Sequence, residues 1–365
     1  MASRPRVTRS RWALAVLVLL ISACASTETS SAPIAAAPTS SEALQASFDG
    51  WAAGVDGGGV AHVRTADGET FTLATGSDAA SGEILEREAR VRVGSISKVF
   101  TATLVMQLVD EGLVDLDEPV GTYLQALPVG EDVSVRQLLG HRSGIANYTE
   151  TKGFGVVVVE GPDRSPTPTD LLEFVAGESN FDPGESFEYS NSNYVIAGLL
   201  VEAVDQKSLA DSLAARITEP LGLDHTEFDD GTLTDVVSGH TGLVPGGTST
   251  ARSYRSIAFS SWAAGGLVTT VDELAVFLDA LLFGDLVSEA ARDEMLDGLS
   301  DGAEYALGLH PGPDFGVGHG GAIVGFNSIA EVDLDSREML IVVVNNDLRR
   351  ANIASAALAE ALRGR

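Results

Sequence analysis

Residues 95–111 carry apolar side chains on nearly every side: Ile96, Val99, Phe100, Ala102, Leu104, Val105, Met106, Leu108 and Val109 leave no polar stripe. A segment of this kind reads as a helix buried all round, and Gly112 is its expected C-terminal stop. Residues 44–51 read instead as a short amphipathic helix. Residues 59–65 and 70–75 flank Ala66-Asp67-Gly68 and read as a β-hairpin, because Asp-Gly supplies the positive φ of a tight turn. Thr167-Pro168-Thr169-Asp170 opens a helix with proline at the tolerated first position. Further helices are expected over 194–204 and 209–217. Thr270-Val271-Asp272-Glu273 has the spacing of a capping box and opens a helix reaching residue 282. Two apolar runs, 322–332 and 339–345, read as strands, and 351–362 as a terminal helix. Strands therefore lie at both ends of the chain and helices fill the middle. The expected fold is α+β: an antiparallel sheet formed from both chain ends, flanked by helices, with a mostly helical insertion near residues 113–255.

The N-terminus changes the picture of where this domain resides. Arg4, Arg6, Arg9 and Arg11 precede a short apolar run over 13–21, which is too short to span a bilayer as an ordinary helix. Ile21-Ser22-Ala23-Cys24 follows and resembles a bacterial lipobox, in which Cys24 becomes the lipidated first residue. Residues 1–23 are thus read as a lipoprotein signal peptide. Residues 24–41, rich in Ser, Thr, Ala and Pro, form a tether, and 42–365 the folded domain. The expected location is outside the cytoplasmic membrane, held to it by a lipid anchor. Cys24 is the sole cysteine, so no internal disulfide can form. A formal charge of −29, from 52 acidic and 23 basic residues, argues against nucleic-acid binding. Oligomeric state is not legible.

Candidate chemistry begins with Ser95-Ile96-Ser97-Lys98. On a helix, residues three apart share one face, with Cβ atoms about 5–6 Å apart, so a hydroxyl and an amine can meet as nucleophile and proton acceptor. Of the three lysines, Lys98 alone has a serine three positions earlier. Tyr189-Ser190-Asn191 is the second element, and Tyr189 is the one tyrosine with Asn two residues on. The third is His-x-Gly. His240, His310 and His319 all fit; His319, with Gly320 and Gly321, is favoured because clear strands follow it. His141 reads as structural.

These elements in this order resemble the serine β-lactamase and penicillin-binding-protein superfamily, in its branch of class C β-lactamases, D-alanyl-D-alanine carboxypeptidases, D-aminopeptidases and esterases. Supporting stretches are Arg92-Val-Gly-Ser-Ile-Ser-Lys98, Leu138-Leu-Gly-His-Arg-Ser-Gly144, Pro183-Gly-Glu-Ser-Phe-Glu-Tyr-Ser-Asn191 and Ala263-Ala-Gly-Gly-Leu-Val-Thr269. The resemblance implies a serine hydrolase that forms an acyl-enzyme on Ser95. Lys98 and Tyr189 are the proton carriers, with the base between them left open. Asn191 would bind the substrate amide and Lys98. His319, Gly320 and Gly321 would line the substrate, and the N–H groups of Ser95 and Ala322 would form the oxyanion hole. No cofactor or metal is implied, and the partner is a small-molecule or peptide substrate.

His319 stands where class C β-lactamases carry lysine. A histidine is mostly neutral at pH 7, which favours D-alanyl peptides, D-amino acid amides or small esters over β-lactams. The alternatives are a class C-like β-lactamase and, in another class, a non-catalytic penicillin-recognising binding or sensor module. The intact Ser95, Lys98, Tyr189 and Asn191 argue against the latter. His-x-x-x-His is absent from the sequence, against a zinc hydrolase.

Overall fold

The computed structural model of the chain describes residues 41–54, 56–154, 166–242, 248–249 and 261–363. Cys24, the leader and nearly all of the expected tether lie outside these residues. Helix α1 (Ser41–Ala52) leads into the expected hairpin, β1 (Gly58–Arg64) and β2 (Thr70–Gly76), whose turn places Gly68 at φ 88°. Strand β3 (Val91–Arg92) runs through a 3-10 turn, Gly94–Ile96, into α2 (Ser97–Asp110). The helical middle comprises α3 (Val135–Leu139), α4 (Pro168–Glu173), α5 (Asn191–Asp205) and α6 (Leu209–Leu213). Short strands β4 (Glu227–Phe228), β5 (Gly239–His240), β6 (Thr248–Ser249) and β7 (Leu267–Thr269) follow. Then come α7 (Val271–Phe283) and α8 (Glu289–Leu296). The chain closes with β8 (His310–Pro311), β9 (Val317–Ile323), β10 (Phe326–Val332), β11 (Met339–Val344) and α9 (Ala351–Arg363).

The main sheet has the order β2-β1-β11-β10-β9-β8, antiparallel throughout, so both chain ends do build it. β1 pairs with β11, for example Ala61 with Val342. Side-chain alternation divides β11 between two cores. Leu340, Val342 and Val344 join Leu44, Phe48, Ala354 and Leu358 under α1 and α9. Met339, Ile341 and Val343 face the larger core, which contains the fully buried Phe100, Leu104 and Phe277. Expectation and structure agree on the α+β architecture.

Three local expectations shift. The run 322–332 is two strands broken at Gly325 (φ 80°), and β9 starts before it, at Val317, so His319-Gly320-Gly321 lies within a strand. Glycine weakens the strand signal in sequence, and pairing with β10 overrides it. The helix expected over 209–217 is α-helical to Leu213 and continues as a π turn, Ala214–Thr218. At α7, Thr270 accepts the Glu273 N–H at 3.2 Å, but the Glu273 carboxylate does not return to residue 270. It accepts from the His225 N–H at 2.9 Å and the Thr226 hydroxyl at 2.6 Å, tying α7 to the chain ahead of β4.

β3 leads into the turn that carries Ser95, the expected nucleophile, and a buried ion pair fixes β3. Arg92 donates to Asp229 Oδ2 at 2.6 Å from Nη2 and 3.1 Å from Nε, with the two side chains 4% and 1% exposed. Removing one member leaves a buried charge uncompensated, which typically costs about 3–5 kcal/mol. Asp229→Ala should therefore lower unfolding stability by about that amount in urea titration. A loss below about 1 kcal/mol, the range of a surface pair, would show that this pair does not anchor β3.

Candidate active site

The nucleophile turn is built by close backbone approach. Gly94 sits at φ 53°, and a methyl group there would lie 2.9 Å from the backbone nitrogen of Ala322 on β9. Ser97 locks the turn: its hydroxyl donates to the Gly94 carbonyl at 2.7 Å and accepts the Leu267 N–H at 3.0 Å. Ser95 is thereby held half-exposed in the 3-10 turn ahead of α2, while Lys98, in the first turn of α2, is fully buried.

Lys98 Nζ has three oxygen neighbours: Ser95 Oγ at 3.1 Å, Asn191 Oδ1 at 2.7 Å and the Ala264 carbonyl at 2.6 Å. Two of them can only accept. A neutral amine satisfies both with its two N–H groups and keeps its lone pair for the Ser95 hydroxyl, which can donate. Burial holds the lysine pKa well below its usual 10.5, and the positive end of the α2 dipole disfavours the ammonium further. Asn191, the first residue of α5, is held in turn, because its Nδ2 donates to Asn147 Oδ1 and Thr149 Oγ1, both at 3.2 Å.

Tyr189 lies with its ring centroid 5.0 Å from Lys98 Nζ. Burial raises its phenol pKa, a hydrogen bond with Ser95 opposing the rise, so the neutral phenol rather than the phenolate is the favoured form. His141 frames this residue. Its carbonyl accepts the Glu188 N–H at 3.0 Å, its Nδ1 accepts the Ser190 N–H at 3.2 Å, and its ring lies 4.2 Å from the Tyr189 ring. His141 is thus structural, as read from sequence, and the structure it holds is the Tyr189 segment. It does so at a non-glycine φ of 55°, with Nε2 buried and without a partner among the described residues.

β9 forms the opposite wall. The His319 Nδ1 bonds the Gly320 carbonyl, and Nε2 accepts from the Tyr305 hydroxyl at 2.9 Å. Burial pulls its pKa well below 6.5, with the charges of His310 and Lys98 acting the same way, so it is a neutral donor–acceptor. The two glycines differ. A methyl on Gly321 would sit 2.0 Å from the Val93 carbonyl and 3.1 Å from the Ser95 nitrogen, whereas one on Gly320 meets only the Ser328 carbonyl, at 3.7 Å. The space beside Gly320 is thus open, while the space beside Gly321 is taken by the turn that carries Ser95. The N–H of Gly320 points to the outer edge of β9, where His310 Nε2 accepts it at 3.1 Å. Ala322, two residues on, presents its N–H to the same edge, beside Ser95.

The structure brings Ser95, Lys98, Tyr189, Asn191, His319, Gly320, Gly321 and Ala322 together. Of the rejected histidines, His240 pairs with β6 and bonds Asn345 and Asp347, but His310 belongs to the site. Sequence reading also missed Tyr305, whose ring lies within 6.1 Å of those of His141, Tyr189, His310 and His319. A tyrosine in a glycine-rich loop carries no periodic signal. A cleft of about 670 Å3 opens over Ser95, Tyr189, Tyr305, His319 and Ala322 and reaches Arg350.

A model of the beta-lactamase family matches residues 48–363. The chain belongs to the beta-lactamase family. A D-stereospecific amidohydrolase from Streptomyces sp. superposes with a TM-score of 0.75 at 31% identity, covering 88% of this chain and 98% of that one. The D-amino acid amidase of Ochrobactrum anthropi SV3, solved with D-phenylalanine, superposes at 0.77 with 26% identity and the same coverage. By sequence the family member is 27% identical to the D-aminopeptidase of Brucella anthropi over 76% of this chain. It spans only part of its curated relatives: 54% of that D-aminopeptidase and 41% of penicillin-binding protein 4 of Amycolatopsis lactamdurans. No described helix is long and apolar enough to cross a membrane.

The role of Gly321 can be checked directly. Gly321→Ala should push the nucleophile turn off β9 and lower kcat/KM by about a hundredfold or more, the range for loss of one oxyanion donor. Gly320→Ala should reduce it far less. Equal effects of the two substitutions would remove the distinction.

Proposed function

We propose that this family member is a serine hydrolase that cleaves D-amino acid amides, D-alanyl peptides or small esters through an acyl-enzyme on Ser95. The observation that carries the reading is the Lys98 amine, buried among two carbonyl acceptors and one serine hydroxyl. Serine is a weak nucleophile without an adjacent base. In this reading Ser95 Oγ attacks the substrate carbonyl carbon while its proton passes to Lys98 Nζ. The carbonyl oxygen becomes an oxyanion held by the N–H groups of Ser95 and Ala322. Tyr189, a neutral phenol beside both Ser95 and Lys98, hands a proton to the departing nitrogen or oxygen and recovers one from the Lys98 ammonium. The C–N or C–O bond breaks and leaves an ester on Ser95. Water then attacks that ester with the same groups working in reverse.

The substrate class rests on the D-amidase and D-aminopeptidase relatives and on His319. A neutral imidazole holds the carboxylate of a β-lactam less firmly than a fixed cation would, so lactam turnover ranks below amide and ester hydrolysis. Ser95→Ala should abolish labelling by both a fluorescent penicillin and an activated ester, read by intact mass. Label retained on that variant would overturn the nucleophile.

The base is tested by pH. A lysine protonated below its own pKa cannot accept the serine proton, so kcat/KM should rise with pH through the Lys98 value and level off well below 10.5. Lys98→Arg, a permanent cation, should lose about 100- to 10,000-fold. A wild-type rise centred near the ordinary lysine value would refute a neutral lysine base.

We further propose that Cys24 is lipidated and anchors the domain outside the cytoplasmic membrane, on the strength of the arginine-led leader and the lipobox-like Ile21-Ser22-Ala23-Cys24. Cys24→Ala should move the protein to the soluble fraction or leave it unprocessed. Unchanged membrane retention counts against lipidation.

A further inference from the structure

β8 pairs with β9 at only two positions, His310 with Gly318 and Pro311 with Val317. Beyond Gly318 the outer edge of β9 has no strand partner among the described residues, and its next outward N–H groups are those of Gly320 and Ala322. The first of these is not free. His310 donates from Nδ1 to the Pro311 carbonyl at 2.8 Å, which fixes its tautomer and leaves Nε2 as an acceptor. That Nε2 accepts the Gly320 N–H at 3.1 Å. Where the β8 backbone departs, the imidazole takes the place of the next ladder partner. Its ring lies 4.9 Å from that of His319 and lines the cleft over Ser95.

The consequence depends on which half of a substrate lies there. The leaving group must sit beside Tyr189, which supplies its proton in the reading above. The rings of Tyr189, His319 and His310 follow one another at 6.5 and 4.9 Å, so the His310 side is the leaving-group side. A peptide with its scissile carbonyl on the Ala322 N–H then runs antiparallel to β9. Its next carbonyl facing that edge belongs to the second residue of the leaving group, about 6–7 Å along the strand, opposite Gly320.

We propose that His310 is a specificity-determining stop: by capping the Gly320 N–H it admits leaving groups of at most one residue (ammonia, a small alcohol or a single amino acid) and excludes a second. The proposal rests on Ser95 hydrolysis as read above, and makes the enzyme one that removes a terminal group rather than one that cuts within a chain.

The test uses one D-acyl group with three leaving groups: ammonia, one amino acid and a dipeptide. In the wild type kcat/KM should change little between the first two and fall about tenfold or more for the third, the scale of one displaced hydrogen bond plus a steric clash. His310→Ala should close that gap by raising the dipeptide value. His310→Gln offers a carbonyl oxygen near the Nε2 position and should restore the fall. Amide hydrogen exchange at Gly320, followed by NMR, gives a readout independent of catalysis: protected in wild type and His310→Gln, accelerated in His310→Ala. A gap that persists in His310→Ala, or a wild type indifferent to the second residue, overturns the stop. Should an activated ester fail to acylate Ser95 in the wild type, the hydrolase reading itself falls, which separates the two failures.

Discussion

The site depends on an amine buried with too few charges around it. Lys98 lies in the first turn of a helix that is buried on nearly every side, and among the described residues no carboxylate is within bonding reach of its Nζ; its partners there are two carbonyls and a hydroxyl. An isolated ammonium in such a place is strongly penalised, and loss of its proton relieves that penalty. The same burial that places Lys98 in the core therefore favours its neutral form, the form that the proposed base requires. Everything that keeps water from Nζ, including Tyr194, whose ring centroid is 5.5 Å away, sustains that protonation state.

The fold serves this arrangement by pressing two backbones together. The turn after β3 and strand β9 meet through Gly94 and Gly321, where any side chain would collide with backbone atoms. That contact sets the N–H groups of Ser95 and Ala322 side by side at the cleft floor. β3 is held from behind by the Arg92–Asp229 pair, and β9 by a full seven-residue register with β10. Sheet and helix are joined at the point where chemistry requires fixed geometry.

Opposite Lys98 the protein uses neutral rings instead of charge. His141, Tyr189, Tyr305, His310 and His319 form one continuous cluster. Burial holds the imidazoles below and the phenols above their usual pKa values, so all of them are favoured in neutral forms. A wall that donates and accepts without carrying charge fits the uncharged amide or ester proposed as substrate. It also adds no cation beside the lysine.

Much of this was legible in the chain. Hydrophobic period identified α2, the β1–β2 hairpin, β11 and α9, because each is decided by local burial pattern and turn chemistry. The S-x-x-K spacing fixed the Ser95–Lys98 pair, since three residues on a helical turn share a face wherever the helix packs. Other features were decided by contacts far apart in sequence. Ala264 meets Lys98 across 166 positions. Gly321 yields its space to Val93, and Glu273 leaves its cap for residues 225 and 226. His310 looked like a turn residue and lines the same cleft as Ser95. The sequence by itself determined which side chains have the chemistry and which segments must be buried. Only the tertiary structure decided which backbone N–H groups remain free at the edge of β9, because a hydrogen bond is satisfied by whatever the folded chain brings within 3 Å, and sequence spacing does not carry that distance.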